Sequence, residues 1–165
     1  MRWKSLSGGR IEDIHTFAKD VTKLGQELHI GCDSLQTGKF TQYVTVVVCH
    51  TPGKGGRVIY TREVVPRITS LRERLFGEVW RSVQVAMDLS PFISGPLSVH
   101  IDANTDEKYM SARYVQELSG LVMGQGFKAI LKPGAWAATH TADHVVRLRN
   151  FRAIKRDGLA ERRGA

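Results

Sequence analysis

A chain of 165 residues, 42% apolar and 24% charged, can bury a core as a single domain without disulfide or metal staples. No apolar run reaches the roughly 18–20 residues that span a bilayer. The start, Met1-Arg2-Trp3-Lys4-Ser5, leads into Gly-Gly and charge rather than an apolar signal region, so a cytoplasmic protein is expected. The excess of 24 Lys+Arg over 16 Asp+Glu gives +8 and a pI near 9.8. Such a charge attracts polyanions, of which nucleic acid is the commonest in a cytosol, although solubility alone is the plainer reading.

Taken in order, Ile11, Ile14, Phe17, Ala18, Val21 and Leu24 recur at spacings of three and four, which predicts an amphipathic helix stopped at Gly25. Leu28 to Ser34 then alternates with a period of two and delivers Asp33 at the end of an apolar strand. A turn at Gln36-Thr37-Gly38-Lys39 leads into a long β-branched strand from Phe40 to His50. Pro52 to Gly56 turns the chain into a third strand, Arg57 to Val65. The two cysteines, Cys32 and Cys49, fall in these strands without metal-site spacing and read as buried free thiols.

Ile68 to Leu89 carries a helical stripe of Leu71, Leu75, Val79, Val83, Ala86 and Leu89, broken by Ser90-Pro91. Leu97 to Asp102 repeats the earlier theme, apolar alternation ending in an acid. A helix from about Glu107 to Met123, a strand from Phe127 to Lys132, and a final helix from near Ala138 complete the pattern. An antiparallel meander followed by strand–helix–strand crossings builds a mixed sheet with helices on its faces. If the Asp33 strand is central and the Asp102 strand parallel beside it, both acids meet at the crevice where connections leave in opposite directions.

Two carboxylates one strand apart repel unless a proton or a cation lies between them. A divalent ion with a taste for hard oxygen, Mg²⁺ or Mn²⁺, resolves that conflict. Glu78 sits on the apolar side of the long helix beside Gly77 and is a third candidate. Glu73, flanked by Arg72 and Arg74, reads as solvated. Asp143 falls in the first turns of the last helix, where the backbone dipole favours an anion, and capping explains it equally well.

The segments Ile30-Gly31-Cys32-Asp33-Ser34, Val99 to Asn104, and Lys132-Pro133-Gly134-Ala135-Trp136-Ala137-Ala138 followed by Ala142-Asp143-His144 resemble the ribonuclease H-like family of small bacterial proteins typified by YkuK. The likeness spans about Leu28 to Val146. It implies a five-stranded mixed sheet in the order 3-2-1-4-5, strand 2 antiparallel, flanked by helices, with the N-terminal helix added. It also implies that Asp33, Glu78, Asp102 and Asp143 hold metal, two ions of Mg²⁺ or Mn²⁺, with water as the nucleophile.

Around that cluster, Asn104 reads as a water or substrate contact or as a turn former, and Lys132 as a phosphate partner. Trp136 is either a base-stacking platform or a core anchor. His140 and His144, spaced i, i+4, are candidate proton carriers, or zinc ligands lacking a third partner. His29 and His100 read as satisfied sheet residues. The domain is expected over residues 1–150. Beyond it lies a basic tail at 151–165, with Arg147, Arg149, Arg152, Lys155, Arg156, Arg162 and Arg163 in and before it, suited to phosphate contact. The expected function is metal-dependent hydrolysis of nucleic-acid phosphodiesters. The alternatives are a catalytically inactive nucleic-acid-binding module on the same fold and a structural protein whose acids hold metal only for stability.

Overall fold

The computed structural model describes residues 1–51, 53, 55–145 and 147. Along the chain run β1 (Trp3–Ser5), β2 (Arg10–Ile11), α1 (Ile14–Lys23), β3 (Glu27–Thr37), β4 (Phe40–Thr51), β5 (Gly55–Pro66), α2 (Leu71–Leu89), β6 (Leu97–Asn104), α3 (Val115–Met123) and β7 (Lys128–Lys132). A π-helical segment, Ala137–Ala142, follows and continues as α-helix through residues 143–145. The strands form one mixed sheet in the order β2-β1-β5-β4-β3-β6-β7.

The meander of β3, β4 and β5 follows from its turns and its side chains. Gly38 takes the left-handed conformation, φ 55°, in the tight turn that sets Thr37 opposite Phe40. The Val44–Val48 run supplies the β-branched residues that pack well on a pleated surface. With β3 central, β4 lies antiparallel on one side and β6 parallel on the other. The expected strand order therefore holds for the five-stranded core.

The two faces of the sheet are covered differently. Leu28, Ile30, Val47, Val99 and Ile101 pack beneath α1, α2 and α3, against Val21, Val79, Val83, Leu89 and Leu118. On the other face Val44, Val46 and Val48 pack against Ala137, Ala142 and Val145 of the C-terminal helix, with Leu35, Val58, Tyr60 and Trp136 alongside. That helix lies very close to the sheet. A Cβ on Gly31 would stand 2.5 Å from the Ala138 nitrogen and 2.8 Å from the Ala137 carbonyl carbon.

Several boundaries differ from the sequence expectation. Two short N-terminal strands join the sheet edge, placing Trp3 in the main core, and segments this short carry no readable periodicity. Ile11 belongs to β2, and α1 starts at Ile14 because the Asp13 carboxylate accepts the His15 N–H as a cap. Ser70 caps α2 in the same way, accepting from the Glu73 N–H, so Ile68 precedes the helix. The helix expected from Glu107 begins only at Val115, after a 3₁₀ turn at Ala112–Tyr114. There Asn104 Oδ1 accepts from the Asp106 N–H and Asp106 Oδ1 from the Lys108 N–H; these side-chain bonds displace helical ones.

Cys32 and Cys49 are free and buried, as expected. Among the described residues no helix is long and apolar enough to cross a membrane. The basic tail expected at 151–165 lies outside the described residues, as does Arg149.

Candidate functional site

The parallel ladder between β3 and β6 sets His29 beside Ser98, Ile30 beside Val99 and Gly31 beside His100, and ends there. Both strands run on past the acids expected at their ends, β3 to Thr37 and β6 to Asn104, and that register places Asp33 and Asp102 level with each other. Strand neighbours stand about 4.8 Å apart before any splaying. On its other side β6 slips register against β7 between Ile101 and Asn104, so Asp102 sits in an irregularity. Such bulges re-aim a side chain and recur beside active sites.

Asp102 is held from the far wall of the crevice. Lys132, the last residue of β7, places Nζ 2.5 Å from Asp102 Oδ1, and Thr139 Oγ1 donates to the same oxygen at 2.9 Å. Asp33 Oδ1 accepts the N–H of Ser34 at 2.8 Å. Burial, reinforced by the Asp102 charge and then by Asp143, pushes the Asp33 carboxyl up to about 7, despite the Ser34 N–H and Lys132 acting against it.

Glu78 points inward from α2 and is only 6% exposed. Ser34 Oγ donates to Glu78 Oε1 at 2.6 Å and in turn accepts from Arg74 Nη1 at 3.3 Å. Burial and the nearby Asp33 charge raise the Glu78 carboxyl to about 8. Gly77 is where a side chain would collide: its Cβ would lie 2.6 Å from the Tyr43 hydroxyl. Asp143 follows the π-helical segment and receives the Arg147 Nε at 2.7 and 2.9 Å from its two oxygens. Its charge is felt at Asp33.

Asp33 and Asp102 are thus brought level, Asp143 lies within electrostatic reach of Asp33, and Glu78 is reached through Ser34. The donor set is oxygen throughout, with mutual repulsion at Asp33 and Glu78 that Lys132 and Arg74 only partly offset. A hard divalent cation fits such a set. Thr139, Ser34 and Arg74 escaped sequence reasoning, since Thr139 and Ser34 touch acids distant in sequence and Arg74 joins them only through the Ser34 hydroxyl.

Asn104 holds the turn after β6. His140 and His144 are exposed on the C-terminal helix. Trp136 stands among histidines, its ring centre 4.9 Å from His29, 5.1 Å from His100 and 6.1 Å from His50.

Those histidines form a second polar group toward the opposite end of β3. His29 Nδ1 lies 2.8 Å from Ser98 Oγ and 3.2 Å from His100 Nε2, while the Ala137 N–H donates to His100 Nδ1 at 3.2 Å. Burial holds His100 down to about 4 and lowers His29 as well. Glu27, His29 and His50 bring one ligand atom each within 4.8 Å of one another. Neither Glu27 nor His50 stands out in the sequence as a site residue.

The chain is 26% identical over 143 residues to the uncharacterized protein YkuK of Bacillus subtilis (strain 168), covering 78% of this chain and 83% of that protein. A crystal structure of RNase H1 from the halophilic archaeon Halobacterium salinarum NRC-1 aligns with a TM-score of 0.39 and 16% identity, over 70% of this chain and 96% of that one. A family model described as Ribonuclease H-like matches residues 10–147. With that match and a sheet ordered as above, the chain belongs to the ribonuclease H-like family.

Proposed function

We propose that this protein is a divalent-metal-dependent nuclease that hydrolyses nucleic-acid phosphodiesters at Asp33, Glu78, Asp102 and Asp143. The observation that carries the reading is the parallel ladder that stops at Gly31–His100, with an acid two residues further on each strand. Two Mg²⁺ or Mn²⁺ ions, when bound, would supply an activated water and a clamp on the phosphate oxygens.

The chain's own groups account for the rest. Asp33 and Asp102 offer oxygens from adjacent strands, with Asp143 approaching from the C-terminal helix. Glu78 is kept in place by Ser34 and Arg74. Thr139 fixes the rotation of the Asp102 carboxylate. Lys132 holds Asp102 Oδ1 in the free protein and, once released, is placed to neutralise a substrate phosphate. His140 and His144, exposed on the neighbouring helix, are positioned at the surface to carry protons or touch the nucleic-acid backbone.

A second reading has its own support. Lys132 on Asp102 and Arg147 on Asp143 already neutralise two of the four acids. A binding module without turnover would keep those internal pairs. A panel of RNA, DNA and hybrid substrates with Mg²⁺, Mn²⁺ or EDTA separates the two. The nuclease cleaves with metal and not in EDTA, and Asp102→Asn lowers the rate by more than about 100-fold, since even outer partners of metal ligands cost 10–100-fold. Wild-type rates in Asp102→Asn would sink the nuclease assignment. Salt-sensitive binding without cleavage under any metal would favour the module.

A further inference from the structure

We propose that Glu27, His29 and His50 form a second metal site, separate from the carboxylate crevice, for a borderline divalent ion of the zinc class. The inference does not depend on the nuclease reading.

The register makes the site. Glu27 and His29 are two residues apart on β3 and so share a face. His50 on β4 is paired directly with Glu27 and shares that face too. Their three ligand atoms lie within 4.8 Å of one another, with His29 Nε2 and Glu27 Oε2 at 3.6 Å. Around a tetrahedral ion with bonds of about 2.05 Å, ligand atoms stand about 3.3 Å apart. Small side-chain rotations therefore close the set.

The donor chemistry selects the ion. Two imidazole nitrogens and one carboxylate oxygen suit Zn²⁺, Co²⁺ or Ni²⁺, whereas Mg²⁺ prefers oxygen alone. Three protein ligands leave a fourth position, as in catalytic rather than structural zinc sites. That position faces a cavity of about 420 Å³ lined by Glu27, His29, His50 and Trp136. A water or a small anionic ligand would complete the shell there.

The surroundings prepare His29 for this role. A metal on Nε2 requires the proton on Nδ1, and Ser98 Oγ lies 2.8 Å away to accept it. Metal-bound histidines are almost always anchored through their other nitrogen in this way. The Ala137 N–H fixes His100 Nδ1 as an acceptor, leaving the proton of neutral His100 on Nε2, which faces His29 Nδ1 at 3.2 Å. Metal binding therefore gives up the hydrogen bond from His100 Nε2 and reverses the one with Ser98, whose hydroxyl oxygen then accepts from His29 Nδ1. Ser98 is the positioning residue.

The test is titration of tag-free, full-length protein with Zn²⁺ by calorimetry and with Co²⁺ by visible absorption, in excess Mg²⁺ to occupy oxygen-only sites. One equivalent is expected, with the intense bands of four-coordinate cobalt. His50→Ala and Glu27→Gln weaken binding by more than about 100-fold, and Ser98→Ala by about 10-fold. Asp102→Asn leaves it unchanged. Circular dichroism confirms that each variant is folded, and Glu27→Gln, nearly isosteric, remains informative if His50→Ala is not. Unchanged affinity in folded Glu27→Gln and His50→Ala overturns the proposal. So does binding lost in Asp102→Asn but retained in His50→Ala, which would put the ion among the carboxylates.

Discussion

Glu27 and Asp33 stand on the same strand and the same face, six residues apart, yet their surroundings suit different cations. At the Asp33 end the ladder between β3 and β6 has ended, the neighbours are carboxylates, and the compensating groups are Lys132, Arg74 and Arg147. Toward the Glu27 end that ladder holds from Gly31 back through His29 to Leu28, the neighbours are imidazoles and an indole, and Ser98 and His100 orient His29. A single strand thus presents hard oxygen where the sheet opens and nitrogen where it is closed. Gly31 lies between them, pressed against the backbone of the C-terminal helix that borders both ends. The helix is the shared wall, and loosening it should damage both ends at once.

Gly31→Ala is accordingly the largest perturbation. The atoms its Cβ would meet, at 2.5 and 2.8 Å, are backbone and cannot rotate aside, so the helix must lift from the sheet. Overpacking of this kind costs about 1–3 kcal/mol, and chemical denaturation should find a loss in that range. Metal-dependent cleavage and zinc-class binding should fall together. Loss at one end alone would show that the two regions are supported independently.

Glu78→Gln touches only the carboxylate end, and pH reveals it. The Glu78 and Asp33 carboxyls lie at about 8 and 7 when folded, above their ordinary 4.5 and 3.8. Over the interval the folded state retains protons the unfolded chain has released, so stability falls as pH rises. Their contribution is complete below about pH 4 and lost by about pH 8. In EDTA the wild type should therefore melt at a lower temperature at pH 8 than at pH 5, with Mg²⁺ recovering the difference. Glu78→Gln should flatten the upper part of that slope and leave zinc-class binding intact. A flat wild-type profile would contradict the raised carboxyls.

Much of the carboxylate end was legible in the sequence because its two principal acids announce themselves, each following an alternating apolar run, although β3 and β6 continue past them. Glu78 was legible for the same reason in a helix, as an acid among Leu71, Leu75 and Ser82. The partners were not. Lys132 was noticed only as a rim cation, and its bond to Asp102 depends on β7 lying next to β6. Thr139 depends on a π-helical segment, whose wider turn no 3.6-residue pattern discloses. The histidine end could have been found by counting: the tight turn sets Thr37 opposite Phe40, and ten residues back along each strand Glu27 falls opposite His50. That arithmetic needs an unbroken register over the whole hairpin. In the fold, long periodic elements were readable, whereas β1, β2 and the turns of residues 107–111 were decided by tertiary pairing and local side-chain bonds.

Thr139→Val makes the finest cut, removing a hydroxyl and little volume. In the free protein Asp102 Oδ1 takes both the Thr139 proton and the Lys132 ammonium. Without Thr139 the carboxylate is left to Lys132 and can turn toward it. A part-buried hydrogen bond to a charged group contributes about 1.5–3 kcal/mol at most, and Lys132 persists as a partner, so the stability loss should stay near the lower figure. The Mg²⁺ or Mn²⁺ needed for half-maximal cleavage should rise by about 10-fold, the scale set by outer partners of metal ligands. Saturating metal should restore most of the rate, because the four acids are intact. Zinc-class affinity should not move. If cleavage instead stayed depressed at saturating metal, Thr139 would be acting on substrate rather than on the orientation of Asp102.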